Sequence, residues 1–176
     1  IEGVAVGAGV MAYGSWTKGY RSGQFNGRAS STAQLGPVDP EKASSFEVGF
    51  KSTFLDRRAR LNLAAYNTKY DALQLTILNG SLQVLQNAGA ATFKGIEAEL
   101  TLKPVNALEL SGSFGYTDAA YDRLDGPLAA NLTIAESLRK KLLKAPAYTA
   151  FGSATYTAQV SADTDVIARA SYSWRS

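Results

Sequence analysis

The chain has 176 residues, with 18 Lys and Arg against 15 Asp and Glu, no histidine and no cysteine. A formal charge of +3 is too small to argue for nucleic acid. The missing histidine removes the commonest general base and metal ligand, and the missing cysteine removes disulfides and thiol chemistry. No stretch approaches the ~20 apolar residues of a membrane helix, so a helical membrane protein is excluded.

The start, Ile1-Glu2-Gly3-Val4, lacks the basic segment and cleavage site of a secretory leader. Gly7-Ala8-Gly9-Val10-Met11-Ala12 spells the dinucleotide fingerprint GxGxxA, which needs a helix after it and an acid about 20 positions on. Here the chain continues as Tyr13-Gly14-Ser15-Trp16 and the next acid is Asp39, so the nucleotide reading is set aside. Residues 8–20 read as a first long strand whose two faces are both mixed, and neither can be assigned to an apolar medium. Arg21 to Lys42 holds Gly23, Asn26, Gly27, Gly36, Pro37 and Pro40 among Ser and Thr, which is loop chemistry.

Strand two, residues 44–54, sets Phe46, Val48, Phe50 and Phe54 against Glu47, Gly49, Lys51 and Thr53. A tight turn at Leu55-Asp56-Arg57-Arg58 leads into strand three. There Ala59, Leu61, Leu63 and Ala65 oppose Arg60, Asn62, Ala64 and Tyr66, and the strand runs on through Tyr70, Leu73 and Leu75 to a hairpin signal at Asn79-Gly80. In strand four the alternation is strict: Ile96, Ala98, Leu100 and Leu102 lie on one side, Glu97, Glu99, Thr101 and Lys103 on the other. Such a strand is a wall between two media. It ends at the turn Pro104-Val105-Asn106-Ala107.

Strand five sets Leu108, Leu110, Gly112, Phe114 and Tyr116 against Glu109, Ser111, Ser113 and Thr117. A second long polar loop covers residues 122–145. Strand six, residues 147–157, carries Tyr148 and Tyr156 at opposite ends of one face with Ala150, Gly152 and Ala154 between them. After a turn near Ser161-Ala162-Asp163, strand seven sets Val166, Ala168, Ala170, Tyr172 and Trp174 against Ile167, Arg169, Ser171, Ser173 and Arg175.

Seven strands alternate short turns (near 56, 105 and 162) with long connections (21–42 and 122–145), and the two kinds fall at opposite ends. Only Asn79-Gly80 interrupts that order, as a short far-side loop or as the tip of a long extended hairpin. Short turns at one end and long loops at the other mark a transmembrane β-barrel with aromatic girdles at its two interfaces. Phe46, Tyr148, Tyr156, Tyr172 and Trp174 suit such girdles on the lipid side, while Glu47, Lys51, Arg60, Glu97, Glu99 and Lys103 suit the wall of a watery lumen. A soluble β-sandwich also alternates, but its strands are shorter and its turns come every 8 to 12 residues.

Glu97 and Glu99 could be imagined as an acid and base pair or as ligands for a hard cation, yet a polar lumen explains them without chemistry. No nucleophile has a base beside it, and an enzyme is not expected. Arg139, Lys140, Lys141 and Lys144 form a basic cluster that could meet lipopolysaccharide phosphates or draw in an anionic ligand; Leu132 to Leu143 has the spacing of a short amphipathic helix. Trp16, Tyr20, Arg21, Gln24 and Phe25, where strand one enters its loop, are candidates for ligand contact, and an interfacial girdle explains Trp16 and Tyr20 equally well.

Asn87-Ala88-Gly89 followed by Gly95-Ile96-Glu97-Ala98-Glu99 resembles a barrel segment of TonB-dependent outer-membrane receptors. Four further segments agree in order: Tyr13 to Asn26, Pro40-Glu41-Lys42-Ala43, Phe46 to Lys51, and Gly112 to Thr117. The resemblance spans roughly residues 11 to 176. It implies an all-β, antiparallel barrel of about 22 strands around a plug, of which this chain is an internal piece without plug, TonB box or terminal strand. It further implies binding of a scarce ligand outside, by default a ferric siderophore, and import to the periplasm with energy from the TonB-ExbB-ExbD complex. The receptor would sit in the bacterial outer membrane among lipid and lipopolysaccharide and would need no cofactor and no nucleic acid. A passive porin is the alternative, and an outer-membrane enzyme or adhesin a third, the missing histidine weighing against the enzyme; a plug domain of about 150 residues before the barrel would separate import from diffusion.

Overall fold

The computed structural model describes residues 2–5, 9–29, 31–79, 82–87, 89–125, 136 and 146–176. Among these the chain forms one 3₁₀ turn, Thr32–Gln34, and ten strands: β1 (Glu2–Ala5), β2 (Val10–Arg21), β3 (Glu41–Phe54), β4 (Ala59–Asp71), β5 (Gln74–Asn79), β6 (Leu82–Asn87), β7 (Gly89–Val105), β8 (Leu108–Leu124), β9 (Tyr148–Ser161) and β10 (Thr164–Arg175). Eight of them make one antiparallel sheet in the order β1-β2-β3-β4-β7-β8-β9-β10, and β5 pairs with β6 apart from it. The sheet is not closed; β1 and β10 are its edges.

Residues paired across antiparallel strands share a face, so the register shows what each face carries. One row runs Trp16, Phe46, Asn67, Lys94, Asp118. The next runs Gly14, Val48, Ala65, Ile96, Tyr116, Tyr148, and the third Ala12, Phe50, Leu63, Ala98, Phe114, Ala150, Trp174. Between them, on the opposite face, run Ser15, Glu47, Tyr66, Gly95, Thr117 and then Tyr13, Gly49, Ala64, Glu97, Gly115, Thr149. The alternation in each strand has thus been summed into one apolar face and one polar face. Strand β2, whose pattern alone was undecided, is oriented by its partners: Trp16, Gly14 and Ala12 join the apolar face.

No layer among the described residues covers the apolar face. Phe46 is 54% exposed, Ile96 52% and Tyr172 71%, and the buried hydrophobic residues are only Val38, Ala59, Leu73, Ala90 and Ala91 among those described. A soluble sandwich would press such a face against a second sheet. The apolar band needs an apolar medium.

Two differences from the sequence reading concern strand count and extent. The sheet holds eight strands, because Glu2–Ala5 pairs with β2; of the GxGxxA spelling, Gly7 and Ala8 lie outside the described residues, Gly9 has a φ of 86°, and Val10 opens β2, with a strand and no helix following. Gly80 of the Asn79-Gly80 hairpin signal lies outside the described residues, and the ribbon that β5 and β6 form on either side of it does not prolong strand three. β4 stops at Asp71, Ala72 takes a left-handed φ of 52°, and β5 and β6 leave as a separate ribbon. With that ribbon counted as one excursion, the long connections all lie at one end and the short turns at the other. Strands β3 and β8 also run further toward the loop end than expected, to Glu41 and Leu124.

Glycines fit the polar face together at two places. The Tyr13 ring lies across Gly49, where any Cβ would collide with it. The Tyr66 ring lies across Gly95, with its hydroxyl 2.7 Å from where a Cβ would stand and 2.8 Å from Thr117 Oγ1.

Candidate functional site

The polar wall comes first. Glu47, Lys51, Arg60, Glu97 and Glu99 all stand on the polar face by register, and Lys103 joins it through a 2.9 Å ion pair with Glu109. Tyr13 donates to Glu47 Oε1 at 2.8 Å, Lys51 Nζ lies 5.4 Å from the Tyr13 ring centroid, and Asn62 donates to Glu99 Oε2 at 3.1 Å. Ser45 with Thr68 and Ser111 with Ser153 add hydroxyl pairs. This is a polar wall in which acids and bases are interleaved. Among the described residues no group of three acids could hold a metal ion.

The aromatic residues named for girdles, Phe46, Tyr148, Tyr156, Tyr172 and Trp174, are all on the apolar face. Phe46, Tyr148 and Trp174 lie toward the loop end, Tyr156 opposite Leu108 near the turn end, and Tyr172 between. Tyr148 also stacks against Tyr116, with ring centroids 5.1 Å apart.

At the loop end the first long connection is knitted to the β5-β6 ribbon. Gln74, 4% exposed, donates through Nε2 to the carbonyls of Ser22 (3.0 Å) and Asp39 (2.9 Å), and its Oε1 accepts from Gln24 Nε2 at 3.0 Å. Its backbone N–H donates to Glu41 Oε2 at 2.7 Å. Asn87 completes the knot: its Oδ1 accepts from the Asp39 N–H at 2.7 Å, and its Nδ2 donates to Asp39 O and Ala72 O at 2.9 and 2.7 Å. Within the loop, Gln24 and Val38 exchange backbone bonds, and buried Asn26 binds the Gln34 carbonyl at 3.1 Å.

The five ligand candidates divide over this geometry. Trp16 and Tyr20 stand on the apolar face, where Trp16 donates to Ser44 Oγ at 3.1 Å. Arg21, paired with Glu41, stands on the polar face; Gln24 is tied to Gln74, and Phe25 projects from the loop, 63% exposed. The basic cluster Arg139 to Lys144 and the proposed helix around it lie outside the described residues. Sequence reasoning missed Gln74 altogether. Asn87 did carry a signal, as part of the receptor-like segment, but its role in holding the loop was not visible there.

A wide antiparallel wall with an uncovered apolar belt, a polar inner face and long loops at one end defines a segment of a transmembrane β-barrel. The chain belongs to the TonB dependent receptor-like, beta-barrel family, whose model matches residues 4–176. That family consists of receptors and transporters of the bacterial outer membrane, not enzymes. Among similar solved structures, the ferric yersiniabactin uptake receptor FyuA from Yersinia pestis has a TM-score of 0.72 and 18% identity over 95% of this chain and 23% of its own. BauA, the ferric preacinetobactin receptor from Acinetobacter baumannii, has a TM-score of 0.68 and 19% identity over 98% of this chain and 24% of its own. The alcaligin outer-membrane receptor FauA from Bordetella pertussis has a TM-score of 0.61 and 17% identity over 99% and 28%. This chain spans about a quarter of the length of those receptors.

Proposed function

We propose that the chain is part of the barrel wall of an outer-membrane receptor that binds a ferric siderophore and imports it to the periplasm with energy delivered by TonB, ExbB and ExbD. The observation that carries this reading is the two-faced sheet with all long connections at one end, matched by the receptor family along nearly its whole length. The choice of ligand is supported by the similar structures, which are receptors for iron chelates. In this reading the apolar face meets lipid with Phe46, Tyr148, Tyr156, Tyr172 and Trp174 in its interfaces, and Trp16 and Tyr20 join them. Glu47, Lys51, Arg60, Glu97, Glu99 and Lys103 line the passage, and Arg21 and Phe25, with Gln24 holding the loop, face the incoming ligand.

The test is uptake of a panel of radiolabelled ferric siderophores by cells carrying the full gene, with and without TonB. Saturable uptake of one chelate that stops without TonB is the expected result. Uptake that continues without TonB, rising linearly with concentration, would mean a passive channel instead.

A further inference from the structure

The polar face is not uniform across the sheet. Glu47, Lys51, Arg60, Glu97, Glu99 and Lys103 put three acids and three bases on β3, β4 and β7. Tyr13 of β2 is engaged with two of them, Glu47 and Lys51. On β8, β9 and β10 the same face carries two successive rows without a charge: Ser111, Ser153, Ser171 and then Ser113, Phe151, Ser173. Thr149 and Thr117 continue them toward the loops; a Cβ at Gly115 would stand 2.7 Å from Thr149 Oγ1, and Thr117 Oγ1 meets the Tyr66 hydroxyl. Charges stand at the borders of this strip: Glu109, Arg169 and Asp165 toward the turns, Arg175 toward the loops, and Glu97 and Glu99 on β7. Glu109 is paired with Lys103. The strip is roughly 10 Å wide and 20 Å long, from the spacing of strands and of residues along them. Ser113, Ser171 and Ser173 are exposed, and Ser111 and Ser153 share a hydrogen bond of 2.8 Å.

We propose that this hydroxyl strip is the track along which the ferric chelate crosses the barrel, with the charged face of β3, β4 and β7 to one side of the route. This rests on the import reading above and adds where in the lumen the ligand travels. A chelate in transit sheds water and needs partners for its oxygens. A serine or threonine hydroxyl both donates and accepts, so it meets carbonyl, phenolate and hydroxyl groups alike. Transit also needs binding that is weak and repeated, favourable enough to admit the ligand and shallow enough to release it. Rows of hydroxyls supply that, whereas a fixed ammonium or carboxylate holds an opposite charge at one place and turns away a like one. Short side chains also leave the strip open, where Lys51 and Arg60 are long. Phe151, 39% exposed, adds one flat apolar contact within the track.

Single cysteines in an otherwise cysteine-free full-length receptor test the route; this chain has no cysteine of its own. Thr53, Arg60, Thr101, Ser111 and Ser153 share one row, so Ser153→Cys and Thr53→Cys lie at one depth, roughly 20 Å apart across the wall. Cells importing a radiolabelled ferric tris-catecholate or ferric trihydroxamate, whichever they take up, are treated from outside with an anionic thiol reagent. Ser153→Cys is expected to react severalfold faster during import than in cells without TonB, and Thr53→Cys at one rate in both. Ser153→Trp, which sets a large ring in the track, is expected to lose most import while cells without TonB still bind the chelate; Thr53→Trp keeps import, and heat-modifiability confirms both barrels. Equal labelling of the two cysteines, faster labelling of Thr53→Cys, or full import through a folded Ser153→Trp receptor overturns the proposal and leaves the receptor reading intact. Import of neither chelate, or import that persists without TonB, overturns both.

Discussion

Ala64 and Ala65 are adjacent, equal in size and on opposite faces, so they compare the two media with side-chain size held constant. Ala65 lies opposite Val48 and Ile96, Ala64 opposite Gly49 and Glu97. Arginine at 65 would stand in the apolar belt, where a cation near the bilayer midplane costs about 2–4 kcal/mol, and arginine at 64 would meet the Glu97 carboxylate. Ala65→Arg is therefore expected to lose most folded receptor in a heat-modifiability assay, with Ala64→Arg close to wild type; the reverse order would mean that the faces have been assigned backwards. Gly95 makes a different demand. The Tyr116 carbonyl and the Tyr66 ring both occupy the space a side chain would need, so Gly95→Val should reduce the folded fraction severely. Adding Tyr66→Ala should recover only part of it, since the carbonyl is backbone and cannot retreat.

At the scale of the element, the strands are longer than the membrane requires. A strand of 12 to 17 residues extends about 40–56 Å, and tilted by about 40° it still rises about 30–43 Å, against an apolar band of about 25 Å. This explains how far the fold could be read from residues alone. Alternation is written only where one face meets an apolar medium, so Ile96 to Leu102 and Leu108 to Tyr116 announce themselves. Beyond the belt the outer face is polar as well, as at Lys42, Ser44 and Asp118, and the extra length of strand carries no apolar alternation. The bend at Ala72 was equally silent, since alanine is not a residue chosen for left-handed backbone. Gln74 and Asn87 act through three segments far apart in the chain, and a polar side chain in a polar stretch does not disclose which carbonyls it will meet.

The hydrogen bonds of Asn87 tie the loop between β2 and β3 to the base of the ribbon, so they set how freely that loop opens. Asn87→Ala removes three bonds and leaves the Asp39 backbone groups without these partners, an effect of about 1–3 kcal/mol. Trypsin cleavage after exposed Arg28 is expected to quicken about tenfold in intact cells, because proteolysis follows the population of the open form. The barrel's heat-modifiability should stay the same. If cleavage is no faster, the loop is held without Asn87, by the Gln74 bonds to Ser22, Gln24 and Asp39 and by its internal bonds around Asn26.

For the whole molecule the decisive fact is the pair of open edges. Backbone groups on the outer sides of β1 and β10 have no strand beside them in this sheet, and in hydrocarbon each unpaired group costs several kcal/mol because no water replaces the missing partner. Membrane strands escape that cost only by closing the ring. The longest strands, β7 and β8, pair in the interior of the sheet, and that pairing does not relieve its borders. Residues 1–176 directed alone to the outer membrane are therefore expected to be degraded or recovered as aggregate, with no heat-modifiable form and no protease-protected fragment. Within the full-length receptor, the same segment should be protected apart from its loops. A protected, heat-modifiable species from the isolated chain would require several copies to complete a ring, which crosslinking through cysteines placed at Val4 and Trp174 would reveal as a ladder of oligomers.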